Sequence, residues 1–200
     1  RSRRFWIRFF GLVSTLAFVS ILGLIILTIF SLVIFAKDLP SPTKLTARDA
    51  SLSTKIYDRN NKLLYDIFGD KNRVLVAWNE LPPYVKSATI AIEDKDFYKH
   101  QGFSPLGIGR AVFNILFFQR LQGGSTITQQ VVKNTLLSPE RTLARKIKEF
   151  ILAIQAERKY TKDEILQIYL NEVPYGGTAW GIEAAAQTYF GKHAKDLDLA

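Results

Sequence analysis

The sequence predicts a mainly α-helical domain behind a single N-terminal transmembrane helix, with a small β element near the membrane. Three observations carry this reading. No charged residue occurs from Phe9 to Ala36. Helix-start signals recur from Pro83 onward. One stretch, KIYDRNNKLLYDI, reads instead as two short β-prone runs around Asn60-Asn61.

The uncharged run of 28 residues is roughly 42 Å long as a helix at about 1.5 Å per residue. About 20 residues suffice to cross a hydrocarbon core of roughly 30 Å. A secretory signal peptide has a shorter apolar region and a small-residue cleavage site. This run is longer and ends in FAKDLPSP, which favours an anchor. Arg1, Arg3, Arg4 and Arg8 precede it, so the positive-inside bias puts the N-terminus in the cytoplasm and the remainder outside.

Beyond Ala36 lie 23 of the 27 basic residues and all 18 acids, a net charge of about +5. A modestly basic surface beside an anionic membrane suits lipid head groups or a phosphorylated lipid. An extracytoplasmic location argues against nucleic acid as a partner. The absence of cysteine excludes disulfides and thiolate zinc sites. The predicted divisions are a basic tail (1–8), the transmembrane helix (9–36), a juxtamembrane linker and β-hairpin (37–82), and a helical domain (83–200).

Residues 37–52 have no periodicity and read as a stalk. The Asn60-Asn61 turn calls for positive φ, and Arg73–Ala77 could add a strand. Pro82-Pro83 open a helix to about Asp94. Ser104-Pro105 cap LGIGRAVFNILFF, and Ser138-Pro139 repeat that signature ahead of a helix to about Tyr160. In that helix Leu143, Ile147, Phe150, Ile151 and Ile154 share a face. Thr161 and Glu164 form a capping box for KDEILQIYLN. A last helix runs from about Trp180 to Phe190 and stops at Gly191.

Several residues carry chemistry. Ala88, Ile90, Ala91 and Ile92 lead into Glu93, placing that carboxylate at the lip of an apolar wall, a setting suited to taking a proton. Glu93, Asp94, Asp96 and His100 resemble a metal cluster only superficially, because adjacent acids do not share a helix face. Gly123-Gly124 lead into a helix beginning near Ser125 or Thr126, and Thr126 with Gln129 fits a capping box. A helix start of that kind favours an anion, and Lys133, Arg141, Arg145 and Lys146 follow it. Glu149 stands four residues after Arg145, which an ordinary intrahelical ion pair explains equally well. Ser41–Lys44 matches the S-x-x-K acylation motif, but it lies in the stalk with no K-T-G partner, so chance explains it better. The apolar stripe of GIGRAVFNILFF suits either the core or a membrane-facing surface, and Phe117-Phe118 with Trp78 fit partial immersion in the bilayer equally well.

Five blocks in order, EDKDFYKHQG (93–102), GGSTITQQVVKN (123–134), RKIKE (145–149), KDEILQIYLN (162–171) and YGGTAWGIEAAAQTYFGK (175–192), resemble the motifs of glycosyltransferase family 51. These are the peptidoglycan glycosyltransferase domains of class A penicillin-binding proteins and monofunctional transglycosylases. The resemblance covers about residues 55–200 and implies a lysozyme-like helical fold. It implies polymerisation of lipid II into β-1,4-linked glycan strands, with inversion and release of undecaprenyl diphosphate.

By the same resemblance Glu93 is the general base and Glu149 a second catalytic carboxylate. Asp94, Phe97 and His100 shape the site. Gln130, Lys133 and Arg141 contact the pyrophosphate side of the substrate, together with Ser125, Thr126, Arg145 and Lys146. No tightly bound cofactor is implied, although Mg²⁺ or another divalent cation can accompany the diphosphate. The implied partners are lipid II, the lipid-linked glycan chain, the cytoplasmic membrane and other cell-wall synthesis proteins. The family continues with further helices beyond DLDLA, so the domain is expected to be C-terminally incomplete. The competing readings are a lysozyme-like lytic hydrolase, which needs no pyrophosphate-binding cations, and a non-enzymatic membrane scaffold.

Overall fold

The computed structural model describes residues 2–37, 39–45, 54–67, 72–105, 107, 109, 124–140 and 142–199. It divides into two units, Arg1–Leu39 and Pro40–Ala200.

The first unit is one helix, α1 (Ser2–Lys37). Within it Phe5–Leu27 is long and apolar enough to cross a membrane, and all of its 23 residues are exposed. The hydroxyls of Ser14 and Thr15 donate to the Gly11 carbonyl at 2.9 and 2.8 Å. Back-bonding of this kind satisfies polar groups that lipid cannot.

In the second unit, β1 (Thr54–Tyr57) and β2 (Leu63–Ile67) form the expected antiparallel hairpin. Asn61 takes φ 63°, and the Asp58 carboxylate accepts the N–H groups of Asn60 and Lys62 at 2.8 and 2.7 Å. The stalk is less free than its composition suggests. Pro42–Leu45 form a 3-10 turn whose Leu45 is buried, and Tyr160 donates to the Pro42 carbonyl at 3.0 Å. The Ser41 hydroxyl pairs with Thr43 Oγ1 at 2.7 Å. The predicted strand at 73–77 shrinks to β3 (Asn72–Arg73), which runs parallel to β5 (Ala179–Trp180); β4 (Pro174–Gly176) completes the sheet in the order β3-β5-β4. Beyond β3, Val76 is held by Asn171, which accepts its N–H at 2.9 Å and donates to its carbonyl at 3.0 Å.

The remaining helices are α2 (Pro83–Glu93), α3 (Ile127–Leu136), α4 (Leu143–Lys159), α5 (Lys162–Glu172) and α6 (Ile182–Phe190). The mainly α prediction holds, and α2 begins at Pro83 as expected. The predicted helix after Ser104-Pro105 falls largely outside the described residues, as do Phe117-Phe118 and Gly123. Ser104 Oγ does accept the Gly107 N–H at 3.0 Å. α4 starts later than predicted, because Thr142, not Ser138, caps it by accepting the Arg145 N–H at 3.1 Å. Its innermost face also differs. Ile147, Phe150, Ile151 and Ile154 are half-buried, whereas Glu149, Leu152, Ala153 and Ala156 are buried. The small Ala153 lets the backbone of Gly102 close in, and a Cβ at Gly102 would lie 2.9 Å from the Ala153 carbonyl. α6 begins two residues after the predicted Trp180, which belongs to β5. Its end at Gly191 in the left-handed region, φ 63°, is as expected.

α3 packs against both α4 and α5. Phe97, Ile127, Val132, Leu152, Ile165, Leu166 and Leu170 are fully buried around that junction. Each contributes about 1.5–3 kcal/mol of transfer free energy, enough to fix the start of α3 relative to the turn after α2.

Candidate active site

The start of α3 is the hub. Thr126 caps it by accepting the Gln129 N–H at 3.2 Å, and Gln129 reaches back to the Thr126 N–H, forming the predicted capping box. The Thr126 hydroxyl also donates to the Gly102 carbonyl at 2.8 Å, tying α3 to the segment after α2. The anion expected at this helix start is supplied by the protein. Asp94 Oδ2 accepts the Ile127 N–H at 3.1 Å, while both Asp94 oxygens lie 2.9–3.0 Å from His100 Nε2. A carboxylate at the first helical turn is favoured by the helix dipole, so the Ile127 N–H is committed before any ligand arrives.

Glu93, one residue earlier, faces solvent. Its Oε2 accepts the Gln130 side-chain amide at 2.7 Å. Among the described residues, Ile92, expected in an apolar wall beside it, forms none and is 83% exposed. Two phenols flank the carboxylate electrostatically. Burial, then the negative charge of Glu93, pushes the Tyr169 hydroxyl above the ordinary tyrosine range, with Tyr175 adding to the effect. Tyr175 is raised by burial and by Glu93 in the same way. Both remain neutral hydrogen-bond donors at physiological pH.

Glu149 is 2% exposed at its side chain and carries two cations. Lys146 Nζ lies 2.7 Å from Oε2, and Arg145 Nε lies 3.5 Å from Oε1. Lys146 also donates to Ser125 Oγ at 2.8 Å, so the carboxylate steers a cation across to the loop entering α3. Lys133 sits three residues past Gln130 on α3, half-buried, with no ion-pair partner among the described residues.

Glu93, Asp94, His100, Ser125, Thr126, Gln130, Arg145, Lys146 and Glu149 thus form a connected set around the start of α3. Arg141 lies outside the described residues. The Phe97 ring is 0% exposed and packs beneath the site. Asp94, His100 and Thr126 are likewise enclosed and occupied by protein partners. Sequence reasoning missed Tyr169 and Tyr175. Tyr169 repeats with Ile165, Leu166 and Leu170 on the buried face of α5, so its spacing signals only core. Among the described residues the donor set does not fit a protein-held divalent cation. The described residues include no group of three or more candidate ligands, and Glu149 is already matched by two cations.

The site thus combines an open carboxylate at the end of α2, oriented from α3, with cations of α4 steered by a buried carboxylate. The transglycosylase family profile matches residues 60–200. The chain belongs to that family, glycosyltransferase family 51. It is 42% identical over 186 residues to penicillin-binding protein 1A of Aquifex aeolicus, covering 90% of this chain and 26% of that relative. It is 47% identical over 161 residues to penicillin-binding protein 1A of Escherichia coli, covering 79% and 19%. Penicillin-binding protein 1F of Bacillus subtilis is 45% identical over 149 residues, covering 74% and 21%. The chain therefore spans 19–26% of the length of these relatives.

Proposed function

We propose that the chain is a peptidoglycan glycosyltransferase that polymerises lipid II into β-1,4-linked glycan strands on the outer face of the cytoplasmic membrane. α1 anchors it with the arginine-rich end inside, so enzyme and lipid-linked substrates share one membrane plane. Glu93 is the general base. Gln130 holds one of its oxygens, leaving the other to take the proton from the acceptor 4-hydroxyl. That oxygen attacks the anomeric carbon of the donor sugar from the face opposite the diphosphate, and the bond from that carbon to the phosphate oxygen breaks. The configuration inverts, and undecaprenyl diphosphate leaves.

Negative charge grows on the leaving group as that bond breaks, and preorganised cations facing it lower the barrier. Lys133, Arg145 and Lys146 supply them, with Arg141 beside them in the sequence. Glu149 holds Arg145 and Lys146 in place from beneath. Tyr169 and Tyr175 stay protonated beside Glu93 and so do not compete with it as bases. The observation that carries the reading is the pairing of an exposed, amide-oriented Glu93 with a cation cluster steered by a buried Glu149.

The test is glycan polymerisation from labelled lipid II by the wild type and by Glu93→Gln. Polymer from the wild type alone supports both the transferase and its base. Cleavage of preformed glycan, unaffected by Lys133→Ala, overturns the reading in favour of a hydrolase.

A further inference from the structure

Beneath the site a buried carboxylate knots three helices together. Glu157 of α4, 4% exposed at its side chain, lies 2.7 Å from the ammonium of Lys162 at the start of α5. It also accepts the hydroxyl of Thr128 in the first turn of α3. The same ammonium, on a side chain 19% exposed, lies 4.4 Å from the centroid of the Phe97 ring. That ring and the His100 imidazole pack edge to face, with centroids 6.3 Å apart and planes at 80°. His100 in turn holds Asp94 at 2.9 Å.

The knot therefore grips both chain segments that make the site. Through Phe97 it reaches the turn behind Glu93. Through Thr128 it reaches the helix start that carries Gln130. A largely desolvated cation over a ring face is attracted to it, but an unrestrained lysine stem could swing away. Glu157 removes that freedom. Ion pairs this enclosed are commonly no better for stability than apolar residues of the same volume, so packing alone does not account for this one.

We propose that Glu157 and Lys162 are a positioning pair for the site. The ammonium, pinned by Glu157, clamps Phe97 and through it sets His100, Asp94 and the adjoining Glu93 against Gln130. Neither residue touches substrate. The kinetic part of this inference rests on the polymerase reading above, whereas the spectroscopic part does not.

The chain has only two histidines, His100 and His193, so their imidazole nitrogen resonances can be told apart. His193 contacts Glu183 at 2.7 Å, away from the knot, and serves as the internal control. The experiment uses the full chain in detergent micelles with the double variant Glu157→Gln/Lys162→Met, which leaves no buried charge unpaired and so guards against simple unfolding. The expected result is a shifted His100 resonance, an unmoved His193 and a kcat lowered about 10- to 100-fold with KM unchanged. Lys162→Arg, which returns a cation to the ring, should bring His100 and kcat back toward the wild type. A folded double variant with the wild-type His100 signal and kcat overturns the proposal and leaves the pair as a stability element. If the wild type makes no polymer, the polymerase reading fails, and the His100 resonance alone decides the positioning claim.

Discussion

The carboxylate of Asp94 accepts the backbone N–H of Ile127 at 3.1 Å, joining the end of α2 to the start of α3 across 33 residues of sequence. This bond places Glu93 and Gln130, one residue from the first and three from the second, within reach of each other. Asp94→Ala would strand the Ile127 N–H and the His100 imidazole together, and each buried unsatisfied group costs about 1–3 kcal/mol. The expected loss is about 2–6 kcal/mol by thermal unfolding followed by circular dichroism, with polymerisation falling alongside it. Asp94→Asn keeps one acceptor and should fall between. An Asp94→Ala protein with an unchanged midpoint would show that other contacts hold the junction.

Glu149 should behave as an organiser of cations. Glu149→Gln keeps the shape but removes the charge that holds Arg145 and Lys146. Polymerisation is expected to drop about 100-fold, the scale for misplacing catalytic groups by an ångström. Lys146→Ala should cost more activity than Ser125→Ala, since Ser125 only receives the Lys146 hydrogen bond. Steady-state rates on labelled lipid II check the order, and equal losses in those two variants would contradict it.

What could be read from the sequence follows from how local each signal is. The capping boxes at Thr126 and Thr161, the Asn61 turn and the Gly191 stop were all legible, because each depends on residues within four positions of one another. The five blocks named the residues of the site, yet not their enclosure. Nothing local to Phe97 says that its ring is sealed, or that Asp94 would fill the anion position at α3. The innermost face of α4 was misread because it holds a charged Glu149 and small alanines, which a count of large apolar residues overlooks. The β3-β5-β4 sheet joins segments about a hundred residues apart, and its two- and three-residue strands are too short for any alternation to register.

Alkaline titration offers a further check. Tyr98 donates to Asp163 at 2.8 Å. Burial first, then that hydrogen bond and the Asp163 charge, push its pKa up to about 12. An unfolded chain ionises its tyrosines near pH 10. Between pH 10 and about 12 the folded state therefore keeps a proton that the unfolded state releases. The contribution to stability is complete below pH 10 and declines as pH rises through that window. Phenolate absorbance should show Tyr169 and Tyr175 ionising late as well, and Tyr98→Phe should remove the step near 12. If the step that Tyr98→Phe removes lies near pH 10 instead, the Asp163 contact does not persist in solution.

Gly181 is where the sheet and the site helices meet, and it allows no side chain. Its φ is +81°, and a Cβ there would lie 2.6 Å from the carbonyl oxygen of Asn171. The Asn171 side chain holds both backbone groups of Val76, so displacing its main chain would loosen β3 from the end of α5 at once. Gly177 has φ +53° and open space around its missing Cβ. Gly177→Ala should therefore cost only the left-handed penalty, about 1 kcal/mol. Gly181→Ala adds a clash with backbone that cannot rotate away, and its unfolding midpoint should fall well below that of Gly177→Ala. Tyr175 follows Asn171 by four residues and lies beside Glu93 in charge terms, so Gly181→Ala should also reduce polymerisation, whereas Gly177→Ala should not. Equal midpoints for the two variants would mean that the Asn171 carbonyl moves freely and that the sheet is not rigidly joined to α5.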